Sequence, residues 1–421
     1  MLAVLHALGP VGVLRPVGRE LEFAYAPGWL ARNDAIPLSP RLALREEPWQ
    51  SEEVLFFFGN LLPEGPVLDA LCQLRKLPRG NVFRLLEAFG RECAGAFEIV
   101  PESDDPPVAT PEPGYRNYPV AELATDLARM RENIPLLQSH SELRLSLAGA
   151  QNKIPVRYSE GQLWLPVNGA PSTHILKPTL QPQARFPDAV INEAFCLRLA
   201  AALGMDVPNV IVLTEPEPAL LIERYDRVTR GDRIERLHQL DMCQLAGVLP
   251  DQKYETDGGP GFHDCFALVD RHSALPAADR LSLVDWIVCN YLIGNADAHA
   301  KNLSMLYGQD GRLRLAPAYD LMALGYWPDL SEKMAMAIGG ERRPDWVQAR
   351  HWQRLCDSVG LNGVQLRRRA QELCGLATAK YAGLLDSMDA SDGFSQHVAA
   401  TLEKRCRWIT QRMGAASGAD V

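Results

Sequence analysis

The chain has 421 residues, 47% hydrophobic and 23% charged, which excludes a disordered or collagen-like polypeptide and predicts two or three domains. Its 43 Lys+Arg against 52 Asp+Glu give a net charge of −9, so it is not a bulk nucleic-acid binder. The balance is uneven: residues 331–421 carry +3 and the rest −12, which leaves room for a local phosphate-facing patch near the C-terminus.

No run approaches the ~18–20 apolar residues of a membrane span. The apolar start, Met1–Leu14, lacks a basic flank and is interrupted by Gly9 and Pro10, so it reads as a structured N-terminus rather than a signal peptide. Nine cysteines with no C-x-x-C pair fit reduced thiols in a cytoplasmic protein.

In chain order, Val11–Leu14 and Glu20–Tyr25 predict a β-hairpin, and Glu53–Leu62 and Val67–Leu74 predict helices around Pro63–Gly65. Pro101–Gly114, with five prolines and four acidic residues, reads as an extended linker. A helix over Glu122–Glu132 follows. Six strands come next: Leu143–Ser146, Ile154–Tyr158, Gln162–Val167, His174–Leu176, Val210–Thr214 and Ala219–Arg224. Between the fourth and fifth lies a helix over Asp188–Leu203, with Asp188 as cap and Gly204 as stop. From Leu240 the pattern is mainly helical, interrupted by a strand pair at Ser304–Tyr307 and Arg312–Ala316. A strand-rich lobe before a helical one predicts two lobes meeting at a cleft.

The chemistry concentrates in GNADAHAKN, Gly294–Asn302, followed by Ala318–Asp320. Phosphoryl transfer from ATP needs a carboxylate to orient the attacking hydroxyl and take its proton. It also needs an amide oxygen and a second carboxylate to hold Mg²⁺ against the phosphates. Asp297, Asn302 and Asp320 supply that set, with the Asp-x₄-Asn spacing of protein kinases. A lone D-x₄-N is more often a polar turn, but companions precede it. Lys177 ends a strand, Glu193 follows 16 residues later mid-helix as a partner for it, and Ser146–Lys153 (SLAGAQNK) is a small-residue loop suited to phosphate oxygens. Glu193 reads equally well as an exposed helix residue. Asp297-x-His299 admits a metal-hydrolase reading, but no second histidine pair with ligand spacing supports zinc. Glu223–Arg227 ends an apolar run where the lobes should join and offers backbone to an adenine edge.

On these residues the chain resembles the HipA family of bacterial serine/threonine kinases, toxins of HipBA toxin–antitoxin systems. The family's order is followed by FFGNLLPEG (Phe57–Gly65), Ser146–Lys153, Ile175–Pro178, Glu223–Arg227, Lys253–Glu255 with Gly258–Pro260, and Asn295–Asn302. The resemblance implies an α+β, bilobal protein-kinase-like fold with an N-terminal subdomain and linker over 1–114, an N-lobe over 115–227 and a helical C-lobe over 228–421. It makes Asp297 the catalytic base and Asn302 and Asp320 the Mg²⁺ ligands. ATP would also be held by Ala148, Gly149, Ala150, Gln151, Asn152, Lys153, Lys177, the hinge Glu223, Arg224 and Tyr225, and by His299, Lys301 and Tyr319. Ser146 matches the family's autophosphorylated serine.

The implied partners are a HipB-like helix-turn-helix antitoxin dimer, operator DNA through it, and a protein substrate such as an aminoacyl-tRNA synthetase. A phosphate on Ser146, adding about −1.5 to −2 charge, should repel nucleotide from the adjoining loop. A small-molecule phosphotransferase and a non-catalytic corepressor are the rival readings. On the C-terminal helix, Leu366, Ala370, Leu373, Ala377, Tyr381 and Leu384 predict a buried face, with Arg367 and Arg368 turned away as solvated residues or DNA-phosphate contacts. Arg342, Arg343, Arg350 and Arg354 add charge on the preceding segment.

Overall fold

The structure, a computed structural model, describes residues 1–102, 113–132, 136, 149, 151–181, 183–231, 233–308 and 310–414. The expected strand Leu143–Ser146, the loop residues Ser146, Ala148 and Ala150, and most of the Pro-rich stretch lie outside them. The chain divides into two compact units, each discontinuous in sequence.

The first unit comprises Met1–Pro178, Leu213–Pro250 and Leu306–Gly311. Its N-terminal sheet orders Trp49–Gln50, Glu20–Tyr25, Gly9–Val17, Leu2–His6 and Glu98–Pro101. The hairpin pairs Val13 with Ala24, and Gly12 is required there because a Cβ would fall 2.2 Å from the Ala24 carbonyl oxygen. Leu14 and Phe23 are fully buried, and Phe23 packs at 5.9 Å on Phe58 of the helix Glu52–Gly59. Helices Gly65–Arg75 and Val82–Phe89 follow, the second capped by Asn81, whose side chain accepts the Arg84 N–H.

A second, antiparallel sheet of this unit runs Ala219–Glu223, His174–Pro178, Ile154–Ser159, Gln162–Val167 and Gly114–Asn117. A buried ionic knot fastens the end of its Ala219–Glu223 strand to the N-terminal segment. Arg224 bridges Glu92 and Asp226, Arg227 reaches Glu92 and Asp226, and Arg236 joins Glu92 and Glu98.

The second unit comprises Thr179–Val212, Asp251–Met305 and Arg312–Val421. It is mainly helical: Ala189–Ala202, Phe262–His272, Pro276–Ile293, Ala349–Val359, Gly363–Asp386 and Asp392–Gly414. Ala189–Ala202 is apolar nearly all round and accordingly buried over most of its surface. Glu193 is 2% exposed, which removes the solvent-facing alternative for it.

Two details of the expected helices are corrected. Asp188 stands at the start of Ala189–Ala202 but does not cap it with its side chain. Its backbone is left-handed (φ +57°), and its carboxylate instead accepts the Tyr326 and Ser391 hydroxyls, both at 2.7 Å. On Gly363–Asp386 the buried face of Leu366, Ala370, Leu373 and Ala377 continues to Leu385, leaving Leu384 half-buried. That helix is tied down by Arg369, which grips the Asp285 carboxylate with two hydrogen bonds at 2.7 and 2.8 Å. Among the described residues no helix is long and apolar enough to cross a membrane. All nine cysteines are buried thiols rather than disulfides.

Candidate active site

In the second unit the Gly294–Asn302 loop follows Pro276–Ile293, whose inner end carries Val288, Cys289, Leu292 and Ile293 in the core. Gly294, in the left-handed region at φ +73°, ends the helix and turns the chain. A relay of buried amides then sets the loop. Asn290, anchored to the Trp286 carbonyl at 2.8 Å, accepts the Asn295 amide at 2.8 Å. Asn295 in turn accepts the Asp297 N–H at 3.1 Å and also reaches the Asp320 carbonyl at 3.4 Å. One side chain thereby references the backbones of Asp297 and Asp320 to the same helix.

The Asn302 amide nitrogen donates to the Asp297 carbonyl at 3.0 Å. That bond fixes which end of the amide is nitrogen, and so presents Oδ1 on the other side. A side-chain amide oxygen and the Asp320 carboxylate are hard oxygen donors of the kind Mg²⁺ takes. Asp320 has a left-handed backbone (φ +58°), a conformation that costs most non-glycine residues free energy and that Asn and Asp visit most readily among them. Among the described residues no group of three or more His, Cys, Asp or Glu gathers to hold a metal unaided. Tyr319 donates to the Lys301 carbonyl at 2.6 Å and accepts from Ser304 at 2.7 Å, and Lys301 and His299 are buried. Asn192, beside Glu193, clamps the segment after Asp320 by accepting the Ala323 N–H at 2.8 Å and donating to its carbonyl at 3.1 Å.

The Asp297 side chain is half exposed, open to approach from solvent. The Tyr254 hydroxyl donates to its Oδ1 at 2.8 Å, and the Tyr254 ring meets His299 edge-on at 5.1 Å. Tyr254 lies in a stretch quoted for family likeness, but nothing in its spacing joins it to a residue 43 positions away. A hydrogen bond to a carboxylate is worth about 1.5–3 kcal/mol. Tyr254→Phe should therefore lower steady-state ATP turnover by about tenfold with an unchanged melting midpoint. Turnover equal to that of the unaltered chain would remove Tyr254 from the site.

In the first unit Lys177 lies on His174–Pro178, opposite Leu220 of Ala219–Glu223, and is 7% exposed. Gln151 donates to the Pro178 carbonyl at 3.4 Å. Gly149 has φ +109°, open to glycine alone, and a Cβ there would lie 2.7 Å from the Lys153 ammonium. Asn152 and Lys153 are half-buried. In the expected hinge, Glu223 is exposed and Tyr225 hydrogen-bonds Gln239. The Arg224 guanidinium is committed to Asp226, Glu92, Ser172 and the Cys93 carbonyl, while its N–H donates to the Thr173 carbonyl at 2.9 Å and its carbonyl accepts the Arg227 N–H at 3.2 Å. Arg367 is half-buried and Arg368 exposed on Gly363–Asp386. Of the neighbouring arginines, Arg343 pairs with Glu341 and Arg342 donates to the Met334 carbonyl at 2.6 Å.

Residues 145–381 match the model of the HipA-like C-terminal domain, more than half of the chain, and residues 2–100 match that of the HipA N-terminal domain. The chain belongs to the HipA family. Among its relatives is a putative kinase, Y4mE, of Sinorhizobium fredii, 42% identical over 89% of this chain and 88% of that protein. The serine/threonine-protein kinase toxin HipA of Shewanella oneidensis is 31% identical over 91% of this chain and 89% of its own. The solved complex of Shewanella oneidensis HipA, HipB and operator DNA matches over all of both chains with a TM-score of 0.83 at 27% identity. The α+β, HipA-like fold expected from the sequence is the fold observed.

Proposed function

We propose that this HipA-family chain is an ATP- and Mg²⁺-dependent protein serine/threonine kinase acting as a toxin. The observation that carries this reading is the amide relay that orders Asp297 and Asp320 from one helix, with Asn302 tied to the Asp297 carbonyl. Asp297 takes the proton of the acceptor hydroxyl as its oxygen forms a bond to the γ-phosphorus and the bond to ADP breaks. Asn302 Oδ1 and the Asp320 carboxylate hold Mg²⁺, which when bound neutralises charge on the phosphates. Lys177 contacts the phosphates with Glu193 as its partner, residues 148–153 form the phosphate loop, and the backbone of 223–225 meets adenine. His299, Lys301 and Tyr319 complete the nucleotide pocket. Functionally, residues 1–114 are the N-terminal subdomain and linker, 115–227 the nucleotide lobe, and 228–421 the catalytic lobe.

Autophosphorylation of Ser146 inactivates the kinase by setting a phosphate beside the loop that holds those of ATP. A translation factor such as an aminoacyl-tRNA synthetase is the substrate. A HipB-like dimer neutralises the kinase and carries it to operator DNA, as the composition of the Shewanella complex suggests. Arg367 and Arg368 then contact DNA phosphates, and the thiol-only cysteines suit a cytoplasmic location.

Incubation with γ-labelled ATP and Mg²⁺ is expected to place label on the polypeptide, mapped to Ser146 by mass spectrometry. Asp320→Ala should abolish the labelling and Mg²⁺-ATP binding together. Label found only on an added small acceptor would support a small-molecule phosphotransferase. No labelling and no ATP binding would support a corepressor.

A further inference from the structure

The N-terminal segment touches the candidate phosphate loop directly. Pro63 and Gly149 form a parallel β-bridge, and the Glu64 N–H donates to the Gly149 carbonyl at 3.1 Å. The turn that delivers this donor is rigidly placed. Leu61 and Leu62 are 4% and 3% exposed, and buried Asn60 donates to the carbonyls of Phe56 and Val248 at 2.8 and 2.9 Å. Glu64 stands at the start of the helix Gly65–Arg75. Gly149 itself is held in a conformation that only glycine adopts readily, with Lys153 packed over the place a side chain would take. This main-chain bond from a fixed turn decides where the Gly149 carbonyl points.

A second grip lies at the hinge strand of the same unit. The Glu92 carboxylate and the Cys93 and Gly95 carbonyls receive Arg224 and Arg227, and the Gly95 N–H donates to Asp226 at 2.9 Å. Both nucleotide-facing stretches of the first unit are thus attached to residues 60–98.

We infer that the N-terminal segment is a positioning element for nucleotide, setting ATP affinity through the Glu64–Gly149 main-chain bond. The inference rests on reading residues 148–153 as the phosphate loop. By linkage, a bond that favours the nucleotide-binding position of the loop must itself be strengthened when nucleotide binds.

Hydrogen exchange on the full, unaltered chain, with and without Mg²⁺ and a non-hydrolysable ATP analogue, tests this without a substitution. The Glu64 amide is expected to slow severalfold on binding, together with amides 149–153. In parallel, Glu64→Pro, which removes the N–H and also draws the backbone in from φ −128°, should raise the KM for ATP by at least roughly threefold, while kcat changes less. The analogue bound, as seen by calorimetry, with no change at Glu64 would overturn the inference and leave the kinase reading intact. So would a folded Glu64→Pro chain with an unaltered KM. If that variant does not fold, the exchange measurement decides. A chain that binds no nucleotide at all overturns both.

Discussion

Asp297→Asn is expected to slow phosphoryl transfer by about 10²–10⁴-fold, the range removed with a general base, while nucleotide binding and the fold persist. The substitution is nearly isosteric. The bonds that fix the loop at this position run through its backbone: the N–H to Asn295 and the carbonyl to the Asn302 amide and the His299 N–H. An amide oxygen still accepts from the Tyr254 hydroxyl, which donates to Oδ1 at 2.8 Å. What is lost is the ability to take a proton. Single-turnover transfer from γ-labelled ATP, beside calorimetric binding and a melting curve, separates these effects. A rate within tenfold of the unaltered chain would assign Asp297 to loop structure alone.

That outcome bears on what the sequence could reveal. The candidate reacting groups could be singled out because phosphoryl transfer demands particular residue types at a particular spacing, and Asp297, Asn302 and Asp320 stand in it. The groups that aim them were not. Asn290 and Asn295 act through hydrogen bonds that no period or spacing encodes. Tyr254 meets Asp297 only through the tertiary fold. The helix Ala189–Ala202 was readable from its apolar residues, whereas the redirection of Asp188 to Tyr326 and Ser391 was not, because a left-handed backbone there depends on partners far along the chain.

Charge shows the same division. The +3 balance after residue 330 suggested a basic surface, yet several of its cations are engaged internally. Arg369 pairs with Asp285, Arg343 with Glu341 and Lys404 with Asp345. Arg368 remains exposed, so any phosphate contact by this helix rests on a small patch beside Arg367. The arginines of greatest structural consequence, Arg224 and Arg227, buried, and Arg236, half-buried, lie in the acidic part of the chain, where composition gave no hint of them.

The knot they form predicts a large, pH-dependent loss for Glu92→Gln. Glu92 Oε1 accepts from Arg224 at 3.0 Å and the Ser172 hydroxyl at 2.7 Å, and Oε2 from Arg236 at 2.7 Å. Three guanidiniums face three carboxylates, those of Glu92, Asp226 and Glu98. Neutralising Glu92 leaves an uncompensated buried cation, a defect that costs about 3–5 kcal/mol. Burial alone would raise the Glu92 pKa, but Arg236, Arg227 and Arg224 outweigh it and hold the carboxyl at about 2, against an ordinary 4.5. Asp226 is likewise pushed up by burial and drawn further down by Arg224 and Arg227. Because the folded pKa of Glu92 is depressed, its stabilisation is full above about pH 4.5 and is lost as pH falls towards 2; the shift corresponds to about 3 kcal/mol. Burial raises Glu98 instead, so its titration works in the opposite sense, and the acid loss belongs to Glu92 and Asp226. Urea unfolding at pH 7 should therefore show Glu92→Gln less stable by about 3–5 kcal/mol, with the gap closing progressively between pH 4.5 and 2. A gap that is under about 1 kcal/mol at pH 7, the worth of an exposed pair, would mean that the knot is solvated and that its charges do not hold the N-terminal segment to the end of the Ala219–Glu223 strand.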